Sequence, residues 1–435
     1  MSQASEFQSK LSITTADVQK RSSVRWRIFA IIFILTVINL VDRTALSIAM
    51  PTIANEFSLS PSMQGLILSS FFWTYALMQI PGGWMIDRFG PRWMVSGSTF
   101  FWGVFQSLAA FATNGFSLLL TRLGLGASEA ALFPSGGKLN ALWLSPRERS
   151  RGAVLMDSGS PLGAALGGIV ISWLILVMGS WRLAFLVAGL VTVALSYVAW
   201  RYLRDDPAAH PAVNAEELAH IKQVDHQSKF TAGSHLNSMP SLRSIASLGI
   251  GRASWAMIYF GLLTWGPSYL SRARGLDLKQ MGAATFFIFL AGAFGSLSGG
   301  FLADALQRAG MRRSLVLKGM LTISGLVTLT AFLVLPTITA PVSAVALLAG
   351  TTFILMWGSL YWSFPALLAA PEKVGLMGGI MNFAGSIGGI SIPIIVGLLL
   401  QWTGNYLAVL QFFAGCAAVF VMGSLFIDLS ERQAD

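Results

Sequence analysis

Asn39-Leu40-Val41-Asp42-Arg43 places a carboxylate and a guanidinium side by side inside the first long apolar run, roughly Arg27 to Ile53. Almost everything around them is Ile, Leu, Val, Phe or Ala. One charged side chain at mid-membrane costs roughly 2.5–3.5 kcal/mol on insertion scales, so such residues are rare and usually functional. Adjacent residues of a helix point about 100° apart. Asp42 and Arg43 can therefore face different partners; a buried pair that neutralises itself is the structural alternative.

The rest of the chain supports a membrane reading. Of 435 residues, 54% are hydrophobic and only 11% charged, against about 25% charged in soluble domains. The 44 glycines fit transmembrane helices that pack closely on small residues. Cys416 is the single cysteine, which excludes an intrachain disulfide and a cysteine metal cluster. Residues 1–25 are polar and basic, with no cleavable apolar signal. The net charge of +10 falls mainly in short loops between apolar runs. That is the charge pattern of membrane topology, and no nucleic-acid partner is expected.

About twelve apolar segments reach bilayer-spanning length: 26–53, 62–84, 92–112, 115–143, 150–177 and 181–204, then 245–271, 279–305, 313–335, 341–369, 373–400 and 403–428. The expected fold is all-α. A cytoplasmic tail (1–25) precedes a six-helix bundle (26–204), a cytoplasmic linker (205–244), a second six-helix bundle (245–428) and a short cytoplasmic tail (429–435). In the linker, Asn214 followed by Glu217 reads as a helix start. With the N-terminus inside, 21 Lys and Arg residues fall on the cytoplasmic side against four outside, Arg182, Arg272, Arg274 and Lys279. The positive-inside rule then sets both termini in the cytoplasm.

The halves echo each other. Gly83-Trp84-Met85-Ile86-Asp87-Arg88-Phe89-Gly90-Pro91-Arg92 follows the second segment; Gly300-Phe301-Leu302-Ala303-Asp304, then Arg308, follows the eighth. Phe133-Pro134 has its counterpart in Phe364-Pro365, and Met156-Asp157 in Met381-Asn382. Such repeats imply two bundles about an axis along the membrane normal, with a site between them. The segment count, the long linker and the duplicated loop resemble the major facilitator superfamily over residues 26–428. Asp42-Arg43, Tyr75 in Tyr75-Ala76-Leu77-Met78-Gln79-Ile80-Pro81-Gly82-Gly83, and Arg122-Leu123-Gly124-Leu125-Gly126-Ala127-Ser128-Glu129 resemble its anion:cation symporter family. That family includes bacterial galactonate, glucarate and hexuronate proton symporters.

A census of charges narrows the chemistry. All four histidines, His210, His220, His226 and His235, fall in the linker, so intramembrane proton handling cannot use histidine. Only Asp42, Glu129 and Asp157 are acids well inside spans; Arg43 and Arg122 are the deep bases, with Lys138 and Arg252 nearer helix ends. Glu129 lies seven residues after Arg122, on nearly the same helical face. Burial and a nearby guanidinium act on a carboxyl in opposite directions. Asp42 and Glu129 are thus candidate proton sites, with Arg122 tuning Glu129; a static salt-bridge network is the alternative. Arg43 is the candidate for a substrate carboxylate, because guanidinium binds carboxylates through a planar two-pronged fork.

The resemblance implies that Tyr75, Trp362 and Asn382 line the substrate cavity, with Ser359 and Tyr361 as weaker neighbours; without it, Tyr75 and Trp362 could equally be packing aromatics. The aldonate carriers have glutamine at the position of Ser160 and asparagine at that of Asp157. Asp157 could then be a protonated packing residue, a third titrating site or a hydroxyl acceptor. The resemblance also makes Gly83, Asp87, Arg88, Gly90 and Arg92, with Asp304 and Arg308 as a second copy, a gating loop; a topogenic charge cluster is compatible with it. The stripes Gly159, Gly163, Gly167 and Gly385, Gly388, Gly389 read as close-packing surfaces. Gly136-Gly137-Lys138 lacks the remainder of a phosphate loop, and no catalytic set or metal-ligand spacing appears. The expected protein is no enzyme and has no cofactor beyond protons. It is a monomeric symporter that imports a small organic anion, a sugar acid, across a bacterial inner membrane. A proton-coupled exporter on the same fold and a non-transporting nutrient sensor are the alternatives.

Overall fold

The computed structural model describes residues 21–145, 148–222, 241–368 and 374–427. Most of the expected N-terminal tail, the C-terminal tail, the Ser-rich part of the linker and His226 and His235 lie outside those residues. Among the described residues the regular structure is helical throughout. The first half comprises α1 (Val24–Glu56), α2 (Pro61–Phe89), α3 (Pro91–Leu108), α4 (Gly115–Glu129), α5 (Leu132–Trp143), α6 (Arg149–Met178) and α7 (Trp181–Tyr202). The linker contributes α8 (Ala215–Ile221). The second half comprises α9 (Leu242–Arg272), α10 (Leu278–Arg308), α11 (Arg313–Val334), α12 (Pro341–Leu355), α13 (Phe364–Leu368), α14 (Val374–Thr403) and α15 (Leu407–Leu425).

Each of the twelve expected segments is helical, and ten helical runs are long and apolar enough to cross a membrane. The other two are α2 and α3, which carry many polar residues, among them Tyr75, Gln79, Trp102 and Gln106. Helices suit a bilayer because every backbone group must be satisfied without water. Their ends follow local chemistry. Ser60 caps α2, accepting from Met63 N at 3.3 Å, with Pro61 at the first helical position. Asn114 and Ser117 form a reciprocal capping box at α4, and Asp277 and Gln280 another at α10.

Two expected segments are interrupted, at matching places. The 115–143 run breaks between α4 and α5, next to Phe133-Pro134; the 341–369 run passes through a 3₁₀ stretch, Met356–Ser363, into α13 at Phe364-Pro365. Proline has no N–H to give to the fourth residue before it, and its ring crowds that carbonyl. The repeat therefore carries the same break in both halves.

α1 lies along α6, and α3 along α7. In the second half α9 packs on α14 and α15, and α11 on α15. The two bundles meet where α2 faces α14, α6 faces α10 and α1 faces α9. Gly159, Gly163 and Gly167 press against Thr36, Leu40 and Thr44 of α1; a Cβ on Gly167 would sit 2.8 Å from the Thr44 Cβ. Gly388 faces Ala253 of α9, whereas Gly389 faces Phe72 across the bundle interface.

The molecule has a linker end, bearing residues 89–91 and the linker, and a distal end, bearing residues 57–60 and 404–406. The bundles are sealed together at the distal end. A Cβ on Gly397 would come within 2.6 Å of the Pro61 carbonyl oxygen. Ser62 N donates to Gln401 Oε1 at 3.3 Å, and Ser69 Oγ donates to the Ile390 carbonyl at 2.6 Å. At the linker end, Asn214 caps α8 by accepting from Glu217 N at 2.9 Å. Glu217 is fully buried and accepts from the α1 backbone at Val24 N and Arg25 N, both 3.1 Å, and from Arg25 Nη1 at 2.8 Å. Arg25 also pairs with Glu148 at 3.1 Å.

Candidate functional site

Asp42 and Arg43 diverge as neighbouring helical residues should. Asp42 is 1% exposed and turns into the first bundle, where Trp102 Nε1 donates to its Oδ2 at 2.7 Å and Thr192 Oγ1 at 3.0 Å. Arg43 turns the other way. Its Nε donates to Glu129 Oε2 at 2.8 Å, and its guanidinium lies over the rings of Phe71 and Tyr75 at 4.4 and 4.6 Å. Glu129 is 0% exposed. Arg43 Nη2 is buried and has no hydrogen-bond partner among the described residues.

Arg122, expected to tune Glu129, makes no direct pair with it. Seven residues of helix separate them by roughly 10 Å along the axis, and Arg122 Nη2 instead donates to Gln106 Oε1 at 3.1 Å. Both Asp42 and Glu129 remain within Coulombic reach of Arg122. A small cavity of about 20 Å³ touches Arg43 and Arg122, enough for one water molecule.

Arg43 also lines a cavity of about 300 Å³ between the bundles. Tyr75, Ser160, Asp157, Ser359, Trp362 and Asn382 line the same cavity. These residues come from α2, α6, the 3₁₀ stretch and α14. The 3₁₀ stretch explains which of its side chains arrive. With three residues per turn, positions i, i+3 and i+6 eclipse, so Met356, Ser359 and Trp362 share the cavity face. Tyr361 falls off that face and is not among the lining residues. It is fully buried, its hydroxyl 2.8 Å from Ser424 Oγ. Asn382 Nδ2 donates to Gln79 Oε1 at 3.0 Å, a hydrogen bond between the two bundles.

Sequence reasoning put Arg252 nearer a helix end; it lies about 15 Å into α9 and lines the cavity. It is 9% exposed and stacks on Trp255 at 4.3 Å and Trp362 at 5.8 Å. Arg252, Trp255 and Tyr259 follow one another at helical spacing on one face of α9, a cation followed by two aromatics that the sequence did display. Gln79 and Ser296 are further polar lining residues.

The duplicated loop lies away from this cavity. Asp87 pairs with Lys138 at 2.8 Å. Arg88 lies over Trp84 and Phe89. Arg92 N donates to Asp205 Oδ1 at 2.7 Å and its Nε to the Trp200 carbonyl at 3.0 Å. Gly90 joins α2 to α3 at φ +83°, a conformation that favours glycine. Gly83 has open space around it. Arg308 Nε donates to the Asp304 carbonyl at 3.3 Å. None of these contacts crosses to the other bundle; all stay within the residue's own bundle except that of Arg92 with Asp205 at the start of the linker.

Two helical bundles enclosing a cavity that charged and hydrogen-bonding side chains reach, with a deep ion pair on its wall, define an integral membrane transporter. Residues 32–393 match the Major Facilitator Superfamily, and the chain belongs to that family. It is 32% identical to the probable galactarate/D-glucarate transporter GarP of Escherichia coli, over 94% of this chain and 96% of that one. It is 31% identical to the probable sulfoacetate transporter SauU of Cupriavidus necator, over 94% and 95%. It is 32% identical to a D-galactonate transporter of Escherichia coli, over 87% and 90%. The fold is also that of a bacterial homolog of the human lysosomal transporter Spinster in an inward-facing, occupied conformation (TM-score 0.72, 18% identity, 94% of this chain and 97% of that one).

Proposed function

We propose that the protein is a secondary active carrier that imports a sugar acid with protons across a bacterial inner membrane, by exposing its cavity alternately to the two sides. One observation carries this reading: Arg43 lines the cavity, one guanidinium nitrogen is unpartnered, and the carboxylate holding it, Glu129, is buried behind it. A proton on Glu129 removes the charge that holds Arg43 and frees its fork for a substrate carboxylate. Anion and proton then bind as a set, which is the logic of symport. Asp42 is the second proton site, set apart from the cavity between Trp102 and Thr192.

Tyr75, Ser160, Ser359 and Asn382 supply hydrogen bonds to hydroxyls, and Trp362 offers a face to the carbon chain. Charge distribution assigns the linker end to the cytoplasm, so the distal seal makes this conformation inward-facing. Release inside follows loss of the Glu129 proton, when Arg43 re-forms its pair. The driving force is adequate: each pH unit supplies about 1.4 kcal/mol per proton, and 100 mV about 2.3 kcal/mol per net charge. Galactarate, glucarate and sulfoacetate, in the names of two of the relatives, are dianions, whereas galactonate is a monoanion.

The test is uptake of labelled galactonate, glucarate, galacturonate and glucuronate into proteoliposomes, with and without an inward acid gradient. Gradient-dependent accumulation of at least one is expected. Glu129→Gln keeps exchange of labelled for unlabelled substrate but loses accumulation. Normal uphill uptake by that variant would remove Glu129 from the proton path.

A further inference from the structure

Arg252 stands opposite Arg43 in the same cavity, on the other bundle, and it is held differently. Its guanidinium is buried, its Nε has no hydrogen-bond partner, and no ion pair reaches it among the described residues. Aromatic rings support it on two sides. Taking a guanidinium out of water without a bonded counter-ion is costly. The lining holds a single carboxylate, Asp157 of α6, which acts on Arg252 through space and not by contact. The same cavity wall also carries hydroxyls and amides, Tyr75, Gln79, Ser160, Ser296, Ser359 and Asn382.

Resting on the sugar-acid reading above, we propose that Arg252 is a second anion subsite and that the cavity takes a ligand with an acid at each end, an aldarate, in preference to an aldonate. One carboxylate meets Arg43 on the first bundle and the other meets Arg252 on the second. The ligand's length thereby bridges the bundles, while its hydroxyls face the polar groups of the wall. A cavity of about 300 Å³ is at the small end of ligand sites, in keeping with a short acyclic diacid. Asp157 balances Arg252 when the cavity is empty and repels the second carboxylate when it is full. It keeps affinity moderate enough for release.

The experiment uses the full chain in proteoliposomes with matched probes, galactarate against galactonate and glucarate against gluconate. Wild type is expected to show a KM at least about tenfold lower for each diacid. Arg252→Gln should raise the diacid KM about a hundredfold and the aldonate KM far less, so that the preference for the diacid collapses. Asp157→Asn should lower the diacid KM several-fold and also lower kcat, because release slows. Ligand-induced thermal stabilisation of detergent-solubilised wild type gives a reading that needs no variant: the diacid should stabilise more than its aldonate. Equal KM and equal stabilisation for diacid and aldonate, or an Arg252→Gln loss that falls equally on both, overturns the second subsite while leaving sugar-acid transport standing. No uptake of any of the four by folded wild type overturns the sugar-acid reading and this inference with it.

Discussion

The two walls of the cavity each present a guanidinium, but the first bundle clamps its own with a carboxylate and the second does not. Arg43 is tied to Glu129 at 2.8 Å and flanked by two aromatic rings. Arg252 has the rings without the carboxylate. On the proposed reading the difference separates two tasks. A clamped guanidinium can be released by a proton, so it can couple; an unclamped one is always available, so it can only select. All three acids well inside spans, Asp42, Glu129 and Asp157, belong to the first half, and the sequence has none between 242 and 272.

The sharpest way to break this contrast is thermal stability. Arg43→Ala should abolish uptake and also destabilise the protein, because Glu129 is left buried and unpaired; losing one partner of a buried pair costs roughly 3–5 kcal/mol. Adding Glu129→Gln to Arg43→Ala should restore the melting temperature without restoring uptake. Arg252→Ala should leave the melting temperature unchanged or higher, since it strands no carboxylate. Equal losses from Arg43→Ala and Arg252→Ala in differential scanning fluorimetry would erase the distinction.

A third guanidinium, Arg25, extends the comparison outside the membrane, where pH is a usable handle. Glu217 and Glu148 both hold it. Burial by itself would raise the Glu217 carboxyl, but donors from Ser22, Arg25 and Val24 outweigh it and hold the group below its ordinary 4.5. Glu148 is likewise held low, through Ser145 and Arg25 against the effect of burial. A depressed carboxyl stabilises the fold above its ordinary value and loses that contribution as pH falls through the folded value. Docking of α8 on α1 should therefore weaken below about pH 4.5. Glu217→Gln should cost roughly 1.5–3 kcal/mol of docking at neutral pH, as for a hydrogen bond to a charged group. It should also flatten the acid dependence of amide exchange at residues 24–25. An undiminished acid slope in Glu217→Gln would move the clasp to Glu148 alone.

What the sequence made legible follows from the cost of charge in lipid. Asp42, Arg43, Arg122 and Glu129 stood out because an apolar run does not tolerate such groups by accident, and the structure brings all four close to one another. The pairing was not legible: rise per residue separates Arg122 from Glu129 along their own helix, and only the tertiary arrangement of the first bundle lets the long Arg43 side chain reach Glu129. Arg252 reads as a residue near a helix end because its apolar run begins three residues after α9 does. Tyr361 reads as a neighbour of Trp362 in sequence because no local signal distinguishes a 3₁₀ stretch of eight residues from an α-helix. Its consequence, that 356, 359 and 362 face inward and 361 does not, depends on turn geometry alone. The twelve helical segments were legible from length and apolarity; α2 and α3 were the marginal ones because their polar residues serve the site.

The smallest expected effect tests how far one protein contact beside the cavity holds the two walls together. Asn382 Nδ2 donates to Gln79 Oε1 at 3.0 Å, linking α14 to α2 beside the cavity. A neutral hydrogen bond of this kind contributes about 0.5–1.5 kcal/mol net, enough to bias cavity access up to roughly tenfold and too little to hold the bundles alone. Gln79→Ala should therefore leave folding intact and increase exposure of the cavity. A reporter thiol is available by Ser160→Cys, because the natural Cys416 is buried against Met257 and slow to react. In inside-out vesicles, Gln79→Ala should speed modification of that thiol by a membrane-impermeant maleimide up to about tenfold, and galactarate should slow it again. An unchanged rate would mean that water already passes the amide pair freely, leaving the charged ends of the ligand as the first link between Arg43 and Arg252.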